Sequence, residues 1–130
     1  MPHKLLGISG ALRADSTNSK LLREAARLYC ADSYVEANLN IPLYDGDLES
    51  NNGIPAEVAL LVQQIAEADA VLISTPEYNG AVTGVLKNAL DWISRHSEKP
   101  MVGKPTALMS AAAGRAGGVR AQTMLRSCLV

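Results

Sequence analysis

No stretch of the 130-residue sequence approaches the roughly 18 consecutive apolar residues of a membrane-spanning helix, and no basic segment precedes an apolar one at the amino end. The chain therefore reads as cytoplasmic, with no expected membrane partner. It also lacks an excess of charge of either sign: 12 Lys and Arg against 13 Asp and Glu leave a formal net charge of −1. Phosphate-backbone binding normally shows as a basic excess, so nucleic acid is not an expected partner either. Cysteine is scarce. Cys30 and Cys128 lie far apart, no CxxC occurs, and no nearby histidine completes a metal set, so both are expected as buried or inert thiols and no metal is expected. His3 and His96 are equally isolated. The first is expected to fray at the terminus and the second to face water at a helix end, neither with a catalytic role. Nucleotide fingerprints are missing too: Gly7 and Gly10 fall short of G-x-G-x-x-G, and there is no G-x-x-x-x-G-K-[ST] loop.

What is present is an ordinary globular composition, 48% apolar and 19% charged, in a chain long enough for one domain but short for a complete doubly wound α/β enzyme. Residues 4–9 read as a buried strand. From Asn18 onward Leu21, Leu22, Ala25, Ala26 and Tyr29 share a helical face, with Ser16, Thr17 and Asn18 all competent as N-caps. Residues 34–39 read as a second strand and the polar stretch 44–53 as a loop. Pro55 suits the first turn of a helix burying Val58, Leu61, Val62 and Ile65. Residues 70–74 form a continuous apolar strand. Val82, Val85, Leu86, Ala89, Leu90 and Ile93 then make the clearest helical stripe, with Lys87 off it as a surface charge. A fourth strand is expected over 106–110, and a further helix from Val119. Alternating strands and helices predict right-handed crossovers in a parallel sheet, with ligands beyond the carboxyl ends of the strands where the strand order reverses.

That rule selects the loops 9–18, 75–80 and 110–118. The first combines Ser9, Arg13, Ser16, Thr17 and Asn18 with a helix amino end, whose unpaired N–H groups and dipole favour an anion; alternatively it is an N-cap with a solvated arginine. The second offers Pro76, Glu77, Tyr78 and Asn79 to a flat ring, or else is a turn in which Asn79 and Gly80 supply the bend and Tyr78 packs on the surface. Around Ser110, Gly114, Gly117 and Gly118 the third brings backbone close to the same ligand, or is simply flexible.

The segments GISGALRADSTNS, STPEYNGAVTGVLKNALDWISR and SAAAGRAGGVRAQTMLR resemble the signature segments of the NADPH-dependent FMN reductase family, in the same order and over nearly the whole chain. The resemblance implies an α/β flavodoxin-like three-layer sandwich with a parallel sheet, forming a single FMN-binding domain over residues 1–130 that stops short of a fifth strand and last helix. It implies that Ser9, Arg13, Ser16, Thr17 and Asn18 hold the FMN phosphate, that Pro76, Glu77, Tyr78 and Asn79 line the isoalloxazine, and that Ser110 with the Gly114 and Gly117 loop closes its other side. NADPH or NADH is then the co-substrate, and a quinone, flavin, azo compound or metal oxyanion the small-molecule electron acceptor. A homodimer or homotetramer is implied as well. Ala11 stands where the family often has serine, and Gly80 where many relatives carry an aromatic residue, which bears on phosphate binding and on pocket width. An exposed edge at the fourth strand is expected to lower stability or to be covered by association. Two other readings remain: a flavodoxin-like electron carrier, and a non-catalytic oligomerising interaction domain that presents the helix of residues 81–94 with Trp92 as its anchor.

Overall fold

The computed structural model describes residues 3–130. Strand β1 (Lys4–Ser9) buries Leu5, Leu6 and Ile8 and leads to helix α1 (Thr17–Tyr29). Ser16 is the N-cap of α1; its Oγ accepts from the Asn18 N–H at 3.2 Å, satisfying one of the donors a helix start leaves unpaired. The helix ends at Cys30 in the left-handed conformation (φ 57°). Strand β2 (Ser33–Glu36), helices α2 (Gly46–Asn52) and α3 (Ala56–Glu67), strand β3 (Ala70–Ser74), helix α4 (Gly84–Arg95), strand β4 (Thr106–Met109) and helix α5 (Val119–Leu129) follow.

All strands pair in parallel, in the order β2-β1-β3-β4. Side-chain alternation along the strands splits the core between the two faces of the sheet. Leu5 and Leu72 meet Leu22 and Ala26 of α1 on one side. On the other, Leu6, Ile8, Val71 and Ile73 pack with Val58, Leu61, Val62 and Ile65 of α3, with Leu86, Ala89 and Ile93 of α4, and with Leu125 of α5. The result is the expected flavodoxin-like three-layer arrangement. Because β1 lies between β2 and β3, the chain leaves β1 toward α1 on one face and leaves β3 toward α4 on the other, and a crevice opens between the two exits.

Several sequence expectations need correction. The stretch 44–53 is not all loop: α2 forms within it, started by Asp45, whose side chain accepts from the Asp47 N–H at 2.9 Å. This helix buries no residue, so it carries no apolar stripe to betray it. Its Glu49 accepts from Tyr44 Oη at 2.8 Å and pairs with Arg95 Nε at 2.9 Å, and these two donors hold the Glu49 carboxyl below its usual range. Trp92 is fully buried and so is no partner anchor. Its Nε1 donates to the Pro42 carbonyl at 2.7 Å and its ring meets Tyr44 edge-on at 4.8 Å. Asn88 reinforces the same seam, accepting from the Tyr44 N–H at 2.8 Å and donating to the Pro42 carbonyl at 3.0 Å. β2 is shorter than expected, Pro55 sits at the N-cap rather than inside α3, and of the two thiols expected as buried or inert Cys30 is exposed. His3 does not fray: its N–H donates to Asp32 and its Nδ1 lies 3.2 Å from Tyr29 Oη. His96 is half-buried at the end of α4, and Lys87 is a surface charge paired with Asp91 at 2.6 Å.

One glycine governs how closely the two exits approach. The Gly10 N–H donates to the Ser74 carbonyl at 2.8 Å, and a Cβ at position 10 would stand 2.6 Å from Thr75 Oγ1 and 3.2 Å from Thr75 Cα. Gly10→Ala is expected to destabilise the fold by about 1–3 kcal/mol, the usual cost of overpacking a close contact. Urea denaturation checks this; an unchanged midpoint would show that the approach is not tight.

Candidate active site

The crevice between the β1 and β3 exits has a volume of 300 Å³. Its walls come from all three loops selected by the sequence: Arg13, Ser16, Thr17 and Asn18 from the first, Pro76, Glu77 and Tyr78 from the second, and residues 111–113 from the third. Ser9, Asn79, Ser110, Gly114 and Gly117 do not line it. Ala11, noted in the sequence only for standing where the family often has serine, also lines it, as do the three alanines at 111–113, which sequence reasoning did not pick out because an alanine carries no chemical signal.

At the α1 end the helix amino terminus faces the crevice loop with Ser16 as its cap. The Arg13 and Thr17 side chains are exposed, and among the described residues Arg13 has only a 3.9 Å contact with Asp15. Asp15 itself is occupied: a 2.8 Å hydrogen bond from Lys20 Nζ, with the Arg13 charge adding to it, holds its carboxyl below the usual range. The cationic guanidinium and the Thr17 hydroxyl thus stand beside a helix amino end, with the neighbouring carboxylate ion-paired to Lys20, a donor set suited to a phosphate. Ser9 plays a different part. Its Oγ lies 2.8 Å from Ser19 Oγ and accepts from the Ala11 N–H at 3.3 Å, so it pins the loop to α1.

The second loop is a tight hairpin. Tyr78 and Ala81 exchange both backbone hydrogen bonds, at 3.2 and 3.1 Å, around Asn79 (φ 55°) and Gly80 (φ 74°). Two successive positive φ values are what a type I′ turn demands and why Asn-Gly is favoured there. Tyr78 is thereby presented at the rim with 54% of its surface exposed. The Arg120 guanidinium covers Gly80, its nearest atom 3.5 Å from where a Cβ would stand.

Glu77 faces the crevice but its carboxylate is committed to α5. Oε1 accepts from the Arg120 and Ala121 N–H groups at 2.9 and 3.1 Å, and Oε2 lies 3.2 Å from Arg120 Nε. α5 begins at Gly118, which has no side chain to cap it, so Glu77 caps the helix from a distant loop, and its charge also suits the helix dipole. The third loop is held in two further ways. Ser110 Oγ donates to the Gly117 carbonyl and accepts from Gln122 Nε2 at 2.6 Å, with Gly118 (φ 81°) packed so closely that a Cβ would lie 2.8 Å from Ser110 Cβ. Thr83, unremarked in the sequence, caps α4 and donates to the Gly10 carbonyl at 2.6 Å.

Asn18 is 2% exposed and bridges all this. Its Oδ1 accepts from Ser74 Oγ and from the Ala111 N–H, both at 2.9 Å, while Nδ2 donates to the Ala111 carbonyl at 3.1 Å.

Residues 3–130 match the family described as NADPH-dependent FMN reductase. An NAD(P)H-dependent FMN reductase of Pseudomonas aeruginosa is 50% identical over 129 residues, spanning 98% of this chain and 69% of that protein. A quinone reductase of Escherichia coli is 42% identical over 130 residues, with the same shares of the two chains, 98% and 69%. In three dimensions the chain superposes on the flavoenzyme NAD(P)H:(acceptor) oxidoreductase FerB from Paracoccus denitrificans with a TM-score of 0.87 at 33% identity, over 98% of this chain and 70% of that one.

Removal of the distant cap is the direct test of the Glu77 arrangement. Glu77→Ala is expected to lower the local stability of the first turn of α5 by about 0.5–2 kcal/mol, the cost of losing a helix cap, and so to speed amide exchange at Arg120 and Ala121 roughly 2- to 30-fold. Exchange at the wild-type rate would show that other groups satisfy those two donors.

Proposed function

The chain belongs to the NADPH-dependent FMN reductase family, and from that we propose that its residues form one FMN-binding domain of an NAD(P)H oxidoreductase that passes electrons to a quinone-type acceptor. One observation carries the reading furthest: the crevice at the β1/β3 divergence joins a phosphate-type donor set at its α1 end to a wall that includes Pro76, Tyr78 and three alanines. Arg13, Thr17 and the amino end of α1 hold the phosphate; Pro76 and Tyr78 on one side and residues 111–113 on the other receive the isoalloxazine.

The chemistry that FMN supplies when bound is acceptance of a hydride from NADPH or NADH and delivery of two electrons to the acceptor. The chain's own work is binding and exclusion. Charge-assisted bonds from Arg13 anchor one end, and the hairpin and alanine wall orient the other. Glu77, committed to α5, is unavailable as a proton donor at the crevice, and no acid–base pair is needed from the protein. Tyr78, half-exposed on a rigid hairpin, gives a surface on which an aromatic acceptor can stack. The relatives favour a quinone as that acceptor; flavins, azo compounds and metal oxyanions are alternatives for the same place. No helix of the described residues is long and apolar enough to cross a membrane, and we place the protein in the cytoplasm as a homodimer or homotetramer. A flavodoxin-like carrier is the second reading. It shares the fold and the flavin but turns over no nicotinamide.

FMN titrated into the purified chain is expected to bind saturably, with quenched fluorescence, and anaerobic NADPH then to bleach the visible flavin band. Binding without bleaching would leave the carrier, and a folded chain that binds no FMN would refute both. Arg13→Ala is expected to weaken FMN by about 1.5–3 kcal/mol, roughly 10- to 150-fold, through loss of a charge-assisted contact. Fluorescence titration of the variant measures this directly; unchanged affinity would remove Arg13 from the phosphate site.

A further inference from the structure

The geometry points to Asn18 as a positioning residue whose carboxamide sets the ring end of the crevice from its phosphate end, an assignment that rests on the flavin reading above. Asn18 stands in the first turn of α1 beside Ser16 and Thr17, where the resemblance would have it hold phosphate. Its side chain is instead almost wholly enclosed, at 2% exposure. A carboxamide oxygen has two lone pairs, and both are taken, by Ser74 Oγ and by the Ala111 N–H at 2.9 Å each. On the nitrogen, one N–H goes to the Ala111 carbonyl at 3.1 Å.

Both backbone groups of a single residue are thus bound by a single side chain, as one strand binds a residue of its neighbour. Such a two-pronged bond fixes the position of the Ala111 peptide and its orientation together. Ala111 opens the run 111–113 that walls the crevice, and residues 112–116 beyond it are exposed. Other bonds hold only the flanks of that wall: the Thr75 N–H donates to the Met109 carbonyl at 3.1 Å just before it, and Ser110 ties to Gly117 and Gln122 beyond it, so Asn18 makes the side-chain bonds to Ala111 itself. The contact spans 93 residues of sequence and joins the two ends of the proposed ligand site. Loss of the carboxamide therefore loosens the wall against which the ring lies, while leaving the phosphate donors Arg13 and Thr17 in place.

Comparison of FMN with riboflavin, which lacks the phosphate, tests this. A phosphate ligand affects FMN alone; a positioning residue affects both. For Asn18→Ala, affinity for FMN and riboflavin is expected to fall by the same factor, tenfold or more, with their ratio within twofold of the wild-type value. Arg13→Ala is expected to shift that ratio about tenfold or more. Amide exchange at residues 111–117 of the flavin-free chain is expected to rise at least tenfold in Asn18→Ala and to stay unchanged in Arg13→Ala. Ser74→Ala removes one bond to Asn18 from a fully buried residue that lines no part of the crevice, and is expected to show the same pattern at two- to fivefold. Loss of FMN with riboflavin retained in Asn18→Ala would overturn the proposal and make the carboxamide a phosphate ligand. Unchanged affinities together with unchanged exchange would overturn it as well. If Asn18→Ala does not fold, Ser74→Ala decides by the same two readouts. A wild-type chain that binds neither flavin would fell the flavin reading, and exchange at residues 111–117 would then decide the positioning role alone.

Discussion

The pairing of β1 with β3, continued one step beyond both strands, is the constraint on which the rest of the site depends. The register runs from Leu5 opposite Ala70 to Ser9 opposite Ser74, and the Gly10 N–H then adds one more bond to the Ser74 carbonyl. Only a residue without a Cβ passes Thr75 at this distance. Past that point the two chains diverge to opposite faces of the sheet, because the strand order places β2 on one side of β1 and β3 on the other. The divergence opens the crevice; the tightness of the last shared rung determines how narrowly it begins.

Around that rung the polar side chains of the loops turn inward. Ser9 binds Ser19, Thr83 binds Gly10, Ser110 binds Gly117 and Gln122, and Glu77 binds the first turn of α5. Polar groups withdrawn from water need partners, and these groups find them in one another's side chains and backbone. All but the Ser110–Gly117 bond, which closes the third loop on itself, cross from one segment to another and tie the loops to the helices beside them. What remains turned outward is a short set: Arg13, Thr17 and Tyr78, with the alanines between them. The distinction separates residues that shape the site from residues that meet what enters it.

That distinction also explains what the sequence made legible. β1, β3 and α4 were readable because burial on a period of two or of 3.6 leaves a pattern in the residues that form them. α2 was not, because a helix that buries nothing has no stripe; only Asp45 as a cap announced it. Trp92 falls at the edge of the apolar stripe of α4, seven residues after Val85, and reads as a surface anchor, yet the segment carrying Pro42 and Tyr44 folds over it. The three site loops were legible as places, since the parallel topology alone selects them. Their side-chain roles were not. The bonds of Glu77 and Asn18 reach 43 and 93 residues along the chain, and no local spacing encodes such partners. Cys30, expected as buried or inert, is exposed at the end of α1, where it ends the helix in the left-handed conformation.

Tyr78 completes the physical argument for a flat ligand. Exposing half of a large aromatic ring forgoes burial worth roughly 25 cal/mol for each Å² left in water, and a flexible loop would relieve that by folding the ring inward. Here the hairpin fixes the backbone: two bonds to Ala81 and the positive φ values of Asn79 and Gly80 place Tyr78 at the rim. Arg120, drawn over Gly80 and tied to Glu77, blocks the space behind the turn. A rigid, uncovered aromatic surface beside an apolar wall and across from a guanidinium favours a planar ring that carries an anionic tail. A compact anion would gain only from Arg13 and the α1 end, and a simple aromatic only from Tyr78 and the alanines. A ligand that joins both chemistries at the span of the crevice gains from each, and the flavin nucleotide of the family to which the chain belongs is such a ligand.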